Sequence, residues 1–310
     1  MLFLTIISAL LLDRFFGEPT HHHPLVGFGT VAGTLEKKLN RPNCSEKVLF
    51  FGLISVSILI SLPVGAYFLI EQAVSHYAWL SNLFDIVVLY LAIGNQSLKE
   101  HVKDVRDSLI KGDLHLARQY LAKIVSRDVE QCQPEQIITG TIETNLENGS
   151  DAVFAPIFWF ICAGAPGVIV YRLCNTLDAM WGYRTNRFEY FGKPTALIDD
   201  ILNYIPARLV ALSYALAGNT KLSLNCWRKQ AQLLSSPNAG PVMTAGAGSL
   251  NIRLGGPTTY HGKMVQKPYF GTCVPAKLID IDRSNTLISR VVLIWVLTAL
   301  AISSITLLDV

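Results

Sequence analysis

The chain of 310 residues is 51% hydrophobic and only 16% charged, where an ordinary soluble domain carries about 25% charged residues, so membrane insertion is the first expectation. Its net charge of +3 is dispersed along the chain, which excludes the clustered basic footprint of a nucleic-acid binder. Six cysteines (Cys44, Cys132, Cys162, Cys174, Cys226, Cys273) show neither CxxC spacing nor the density of a disulfide framework; they read as reduced thiols in a cytoplasm-facing or membrane-buried protein.

Residues 1–12, MLFLTIISALLL, are apolar but too short to cross a hydrocarbon layer of about 30 Å, and no basic n-region or cleavage site accompanies them. They read as a partial helix that delivers a polar loop containing His21, His22 and His23. Three adjacent histidines on irregular chain cannot all face one ion. A single functional or structural histidine is expected, and His23, before Pro24, is the candidate.

Residues 48–70 carry no charge and are long enough to span. Residues 77–95 form a second candidate, interrupted by Asp85, which is either a functional intramembrane acid or a neutral, hydrogen-bonded one between helices. Arg14, Lys37, Lys38, Arg41 and Lys47 precede this pair, seven Lys/Arg fall between 96 and 151, and residues 71–76 hold none. The positive-inside rule therefore places the connector outside and both long segments in the cytoplasm. Between 96 and 127 charges alternate with apolar residues at helical spacing, which predicts amphipathic helices with solvated faces.

In TGTIETNLENGSDAVFAP (139–156), Glu143, Glu147 and Asp151 recur every four residues and would stack along one helix face. Like charges so placed repel, so either a cation, metal or cationic ligand sits against the row or water screens it. Residues 152–171 are long and apolar enough to span, yet Pro156, Gly164, Pro166 and Gly167 interrupt them. A full crossing would separate the acidic row from the polar residues 175–187 by the membrane. A broken or re-entrant helix pair keeps both sets on the cytoplasmic side in a single cavity, and is the expected arrangement.

Asn175, Asp178, Arg184 and Arg187 follow, then Asp199, Asp200, Asn203 and Arg208. Asp199 and Asp200 stand four and three residues before Asn203, so a carboxylate and an amide can converge on one ligand, with one aspartate facing inward. Hard oxygen ligands of this kind suit Mg²⁺, and arginines suit carboxylate or phosphate groups, although any one of them can equally anchor a loop. Residues 204–217 form a shorter candidate span. The segment 235–271 is rich in glycine and small residues but contains neither a P-loop nor a Rossmann fingerprint; its glycines would admit backbone close to a phosphate or bulky ligand, or make turns. Residues 291–308 are a last charge-free span whose N-terminal end the preceding basic residues place in the cytoplasm.

HPLVGFG, SRD, GTIETNLENGSDAVFAP, GAPG, YRLCNTLDAMWGYR, DDILNYIPAR, SPNAGPVMTAGAGSLNIRLGGPTTYHG and KPYFG occur in this order. Together they resemble the cobalamin-biosynthesis CobD/CbiB family, the adenosylcobinamide-phosphate synthases, from about residue 11 to residue 283. Where that family usually reads Glu-Ser and then Ala-Glu-Asn, this chain has Glu143-Thr144 and Leu146-Glu147-Asn148, and Ala152 replaces a common glycine; the acidic and amide positions survive.

The resemblance implies a mainly α, polytopic, single-domain membrane enzyme of residues 1–310 in the cell (inner) membrane, its site facing the cytoplasm. It implies ATP-dependent ligation of adenosylcobyric acid to (R)-1-amino-2-propanol O-2-phosphate or a related amino-alcohol phosphate, with Mg²⁺ and with ATP turning a propionate carboxylate into an acyl phosphate that the amine attacks. On that reading Glu143, Glu147 and Asp151 hold Mg²⁺, and Asp178 and Arg184 join them in catalysis. His23, Asn148, Arg172, Asn175, Arg187, Asp199, Asp200, Asn203, Arg208, Asn238 and Tyr260 bind substrate or ATP. Self-association, or association with later corrinoid-assembly enzymes, is left open, and nucleic acid is not an expected partner. From another class, polar residues beside broken helices also describe a transporter or membrane sensor.

Overall fold

The structure, a computed structural model, describes residues 1–19, 23–41, 45–183, 185–260 and 262–308. The chain is mainly helical: α1 (Leu2–Phe16), α2 (Pro24–Leu39), α3 (Ser45–Val74), α4 (Ala78–Ala92), α5 (Asn95–Ile110), α6 (Leu114–Ala122), α7 (Pro134–Gly149), α8 (Ala155–Trp181), α9 (Lys193–Ala217), α10 (Thr220–Gln230) and α11 (Ala239–Leu250). Four short strands follow, β1 (Arg253–Gly255), β2 (Thr258–Tyr260), β3 (Lys263–Val265) and β4 (Tyr269–Gly271), then α12 (Ile279–Leu308). Among the described residues four helical stretches are long and apolar enough to cross a membrane: 45–74, 78–110, 134–181 and 279–305. The predicted spans 48–70, 77–95, 152–171 and 291–308 fall on these, whereas 204–217 lies within α9, which is not one of the four. Large apolar side chains such as Phe50, Leu53, Leu62 and Leu69 stand exposed on α3, as a helix solvated by lipid requires.

The chain divides into two compact units, residues 1–94, 155–203 and 299–310 forming the first and residues 95–154 and 204–298 the second. In the first, α2, α3 and α8 pack around Ala32, Val48, Val56, Leu59, Leu177, Trp181 and Phe191, with the Trp181 and Phe191 rings edge to face at 5.0 Å. The Tyr67 hydroxyl donates to Asp85 Oδ1 at 2.9 Å while its ring stacks on Phe84. Asp85 is thus the hydrogen-bonded acid between helices.

The GAPG stretch breaks α8. Gly164 sits at φ 63°, ψ −158°, a combination open in practice to glycine alone, and Pro166 withholds the amide that would rejoin the ladder. In an unbroken helix residues 159 and 167 stand about 12 Å apart along the axis. Here a Cβ built on Gly167 would lie 2.8 Å from the Trp159 carbonyl oxygen and 2.6 Å from the Ala163 Cβ. The chain therefore doubles back, which is the geometry a broken or re-entrant pair needs, and Trp159 Nε1 ties the first half to α9 by donating to the Leu202 carbonyl at 3.1 Å.

In the second unit the amphipathic segment 96–127 forms α5 and α6, turned through Gly112 at φ 74° and capped by Asp113, whose carboxylate accepts from Leu116 N at 2.9 Å. Their apolar faces meet α7 around Val105, Ala117, Leu121, Val129 and Ile137. The strands pair antiparallel, β1 with β4 and β2 with β3. The glycines of 239–250 were expected to make turns or admit a ligand; instead α11 is a buried helix of small residues. A Cβ on Gly246 would meet the Leu146 side chain at 2.7 Å, and one on Gly248 the Leu222 carbonyl oxygen at 2.8 Å, so these glycines admit α7 and α10 rather than a phosphate.

Replacing Gly164 with alanine forces a side chain into the glycine-only region at a cost of about 1–3 kcal/mol. The expected outcome is a Tm in detergent several degrees lower, with α-helical content retained at low temperature, measured by circular dichroism; an unchanged Tm would mean that the turn is not held as drawn.

Candidate functional site

In the first unit one hydrogen-bond chain joins α8 to α9. Arg172 Nη1 donates to Asn175 Oδ1 (3.3 Å) and Asn175 Nδ2 donates to Asp199 Oδ1 (3.4 Å). Asn203 Nδ2 donates to Asp199 Oδ2 (2.9 Å), and the Tyr171 hydroxyl donates to Asn203 Oδ1 (3.0 Å). Both arms converge on Asp199 as terminal acceptor. Helical spacing explains the set: Asp199 and Asn203 are one turn apart on α9, and Arg172 and Asn175 share a face of α8. Burial pushes the Asp199 carboxyl up to about 6, the two amide donors pulling against it and the neighbouring Asp200 carboxylate adding to the rise. Asp178, half-buried near the end of α8, lies within electrostatic reach of Asp199 and Asp200. The Nε of Arg172 is buried with no hydrogen-bond partner, so this guanidinium keeps a donor for an anion.

Other expected residues of this unit have structural partners. His23 caps α2, its Nδ1 accepting from Leu25 N at 3.1 Å. Its Nε2 faces Glu18 at 3.9 Å. Burial lowers its pKa, opposed by Glu18 and reinforced by Arg172, so the neutral ring with its proton on Nε2 is favoured at neutral pH. Arg187, expected to bind phosphate, instead clamps the buried Glu36 through Nε (3.0 Å) and Nη2 (2.7 Å), and its carbonyl accepts from Asn40 Nδ2. That contact spans 151 positions, beyond the reach of local spacing. Arg184 lies outside the described residues, as do His21 and His22.

In the second unit Glu143 is the hub. Its Oε2 accepts from Arg127 Nη2 at 2.6 Å and its Oε1 from the Gly255 amide at 2.7 Å, while Arg127 Nη1 reaches Thr258 Oγ1 at 3.4 Å. Arg127 is 13% and Glu143 14% exposed, so the pair is largely withdrawn from water and tethers α7 to the loop before it and to β1. Glu147 follows one turn along, with Arg127 and Lys267 the cations that bear on it. Asp151 falls in a π-helical turn, Ser150–Phe154, where the Tyr214 hydroxyl packs against Gly149 and donates to the Leu146 carbonyl at 2.9 Å. The turn takes Asp151 out of strict α-helical register with Glu143 and Glu147. Asn148 is half-buried beside Glu147.

Arg208 and Asn238, both expected in the site, meet: Arg208 Nη1 donates to Asn238 Oδ1 at 3.0 Å and its Nη2 to the Pro237 carbonyl at 3.1 Å, with the guanidinium over the Tyr204 ring at 3.4 Å. Tyr260, on β2, accepts from Lys267 Nζ. Sequence reasoning missed Tyr171, Arg127 and the Gly255 amide. SRD and YRL were visible as motif letters, but nothing in their spacing named a partner.

Among the described residues no group of three or more His, Cys, Asp or Glu is placed to hold a metal ion, and both oxygens of Glu143 are engaged within the protein. The three-carboxylate cage is therefore not assembled. Glu147 and Asp151 are carboxylates of the hard-oxygen type that Mg²⁺ takes, set out of strict α-helical register with each other.

The family model described as CobD/Cbib protein matches residues 6–288. A relative named Cobalamin biosynthesis protein CobD, from Stutzerimonas stutzeri, is 48% identical over 96% of this chain and 97% of its own. Relatives of the same name from Chromobacterium violaceum and Mycobacterium tuberculosis are 44% and 33% identical, over 97% and 93% of this chain and 96% and 91% of their own. No solved structure matches the chain.

Two outcomes are expected of this geometry. Glu143→Ala leaves Arg127 buried without its anion and costs about 3 kcal/mol by denaturant unfolding in detergent, and Arg127→Ala on top of it recovers part of that loss; strict additivity would mean the two side chains do not interact. For Asp199 the folded pKa stands above the unfolded value, so ionisation opposes folding. Stability relative to Asp199→Asn should fall as pH rises from about 4 through 6 and level off above 7, by about 3 kcal/mol. Thermal unfolding of both proteins across that range checks the sign, since a rise would contradict the burial.

Proposed function

We propose, since the chain belongs to the CobD/CbiB family of cobalamin biosynthesis, that it catalyses ATP-dependent amide formation between adenosylcobyric acid and (R)-1-amino-2-propanol O-2-phosphate or a related amino-alcohol phosphate. The observation that carries this reading is the Arg172–Asn175–Asp199–Asn203–Tyr171 chain on apolar helices, with a buried Arg172 donor left unused. Arg172 lies in the apolar stretch 134–181, and an ionisable group on a membrane helix is costly and is retained mainly for function. We place the protein in the cell (inner) membrane with its site toward the cytoplasm, where ATP is found.

A carboxylate is a poor acylating agent and must be activated before an amine can attack it, which is what the phosphoryl group of ATP supplies. Arg172 would take a phosphate or carboxylate oxygen on its free Nε, with Asn175 fixing the guanidinium plane. Asp199, poised near 6 by burial, can take a proton from the substrate ammonium, freeing the amine to attack the acyl phosphate with loss of phosphate, and is the candidate general base. Asn203, itself fixed by the Tyr171 hydroxyl, donates to its second oxygen, which sets the orientation of the carboxyl. Glu147 and Asp151 would hold Mg²⁺, which when bound neutralises phosphate oxygens. Glu143 serves by positioning α7 against β1, and Arg187 by anchoring α2.

The doubled-back turn at Gly164 also suits a substrate pathway, and turnover separates that alternative. Purified protein in detergent is expected to consume ATP only when corrinoid and amine are both present, with Glu147→Ala lowering amide formation by about 10²-fold or more and leaving the unfolding temperature unchanged. Corrinoid binding without ATP consumption under any condition would favour transport or sensing. A normal rate for Glu147→Ala would remove that residue from the scheme.

A further inference from the structure

The second unit contains a cavity of about 930 Å³, walled by residues 127–132, the first turns of α7 and the two strand pairs. Its walls are built rather than incidental. Asp128 N donates to the Thr259 carbonyl at 2.9 Å, the Gly262 amide donates to Asp128 Oδ2 at 2.7 Å, and the lining residues Arg127 and Gly255 are both held by Glu143. The volume is at the upper end of the roughly 300–1,000 Å³ typical of small-molecule pockets.

The charges argue against a polyphosphate. Two guanidinium groups line the cavity, Arg127 and Arg253, against three carboxylates, Asp128, Glu130 and Glu135. Arg127 is already neutralised by Glu143, and Arg253 lies over the Tyr269 ring at 4.9 Å. Phosphate cradles use glycine amides as well as cations, yet here the Gly255 and Gly262 amides are each taken by a carboxylate of the protein itself. Beside these charges the lining offers neutral groups, the hydroxyls of Thr139 and Thr259 and the amide of Gln131, among Val129, Pro257 and Met264.

We infer that this cavity receives the uncharged carboxamide-bearing edge of the corrinoid, not ATP. The inference rests on the ligase reading above. A corrin ring presents carboxamides at its rim between methyl-covered faces, so paired hydroxyl and amide groups set among apolar side chains match it in chemistry. A triphosphate there would meet a net negative lining with its backbone donors already used.

The test uses the full chain in nanodiscs, with adenosylcobyric acid and a non-hydrolysable ATP analogue as separate probes. Replacing both hydroxyls by methyls, Thr139→Val with Thr259→Val, should weaken corrinoid binding about tenfold or more and leave the affinity for the ATP analogue within about twofold. Maleimide labelling of Met264→Cys, read at that position by mass spectrometry, should be slowed by the corrinoid and not by the ATP analogue or the amino-alcohol phosphate. If the valine pair weakens the ATP analogue instead, or leaves corrinoid affinity unchanged, or if Met264→Cys is shielded by ATP analogue or amino-alcohol phosphate alone, the cavity assignment falls while the ligase reading stands. If the unaltered protein makes no amide from these substrates with ATP, the ligase reading falls instead.

Discussion

The Asp199 carboxylate organises the polar part of the first unit. A carboxylate carried among apolar helices must either find donors or give up its charge, and here two side-chain amides, one from α8 and one from its own helix, supply the donors. Each amide is in turn held by a further donor, Arg172 on one arm and Tyr171 on the other. The direction of every bond in the chain follows from this. Asparagine has one acceptor and one donor group, so an amide that donates to Asp199 must accept from something else, and a guanidinium and a phenol are the donors that α8 presents at the right turns. The turn at Gly164 belongs to the same logic, because it lets α8 start again at Ala165 with the face bearing Tyr171, Arg172 and Asn175 set toward α9.

The second unit solves a similar problem with an ion pair. Glu143 could remain withdrawn from water only with both oxygens satisfied, and Arg127 and the Gly255 amide do so. That use of Glu143 alters the meaning of the acidic row. Four-residue spacing implies three equivalent carboxylates, but the first is a tether, the second has Arg127 and Lys267 to offset it, and the third is displaced by a π-turn at the Tyr214 contact. The repulsion expected of the row is thus eased at its start by Arg127 and at its end by a change of helical pitch, while Glu143 still bears on Glu147.

What was legible in the sequence is what depends on local composition. The apolar runs 48–70 and 291–308 needed only hydropathy and length, the amphipathic pair 96–127 only its period, and the break in α8 only Gly164 with Pro166. The pairing of Asp199 with Asn203 was legible too, being a matter of one helical turn. What spacing could not supply is which distant group completes a charge. Arg187 resembles a phosphate ligand until Glu36 is found beside it, and Arg127 gave no sign of Glu143. The run AGPVMTAGAGSL was misjudged for a related reason: glycines that admit a ligand and glycines that admit a neighbouring helix look alike in one dimension. The close approach of Leu146 and Leu222 to Gly246 and Gly248 tells them apart.

The same distinction bears on where ligand contacts can be sought in the glycine-rich segment as a whole. Of its glycines, Gly240, Gly246 and Gly248 are filled by neighbouring chain at under 3 Å, and the amides of Gly255 and Gly262 are held by Glu143 and Asp128. The amide of Gly271 donates to Gln230 Oε1, and its carbonyl accepts from Gln230 Nε2. A segment whose backbone is so fully committed cannot act as a phosphate nest, whatever its composition suggests. It can act as a rigid frame for side chains, and the groups it then offers are hydroxyls, aromatic rings, a thioether and the separate cations Arg253, Lys263 and Lys267. Recognition by this segment must therefore run through its side chains rather than its backbone amides.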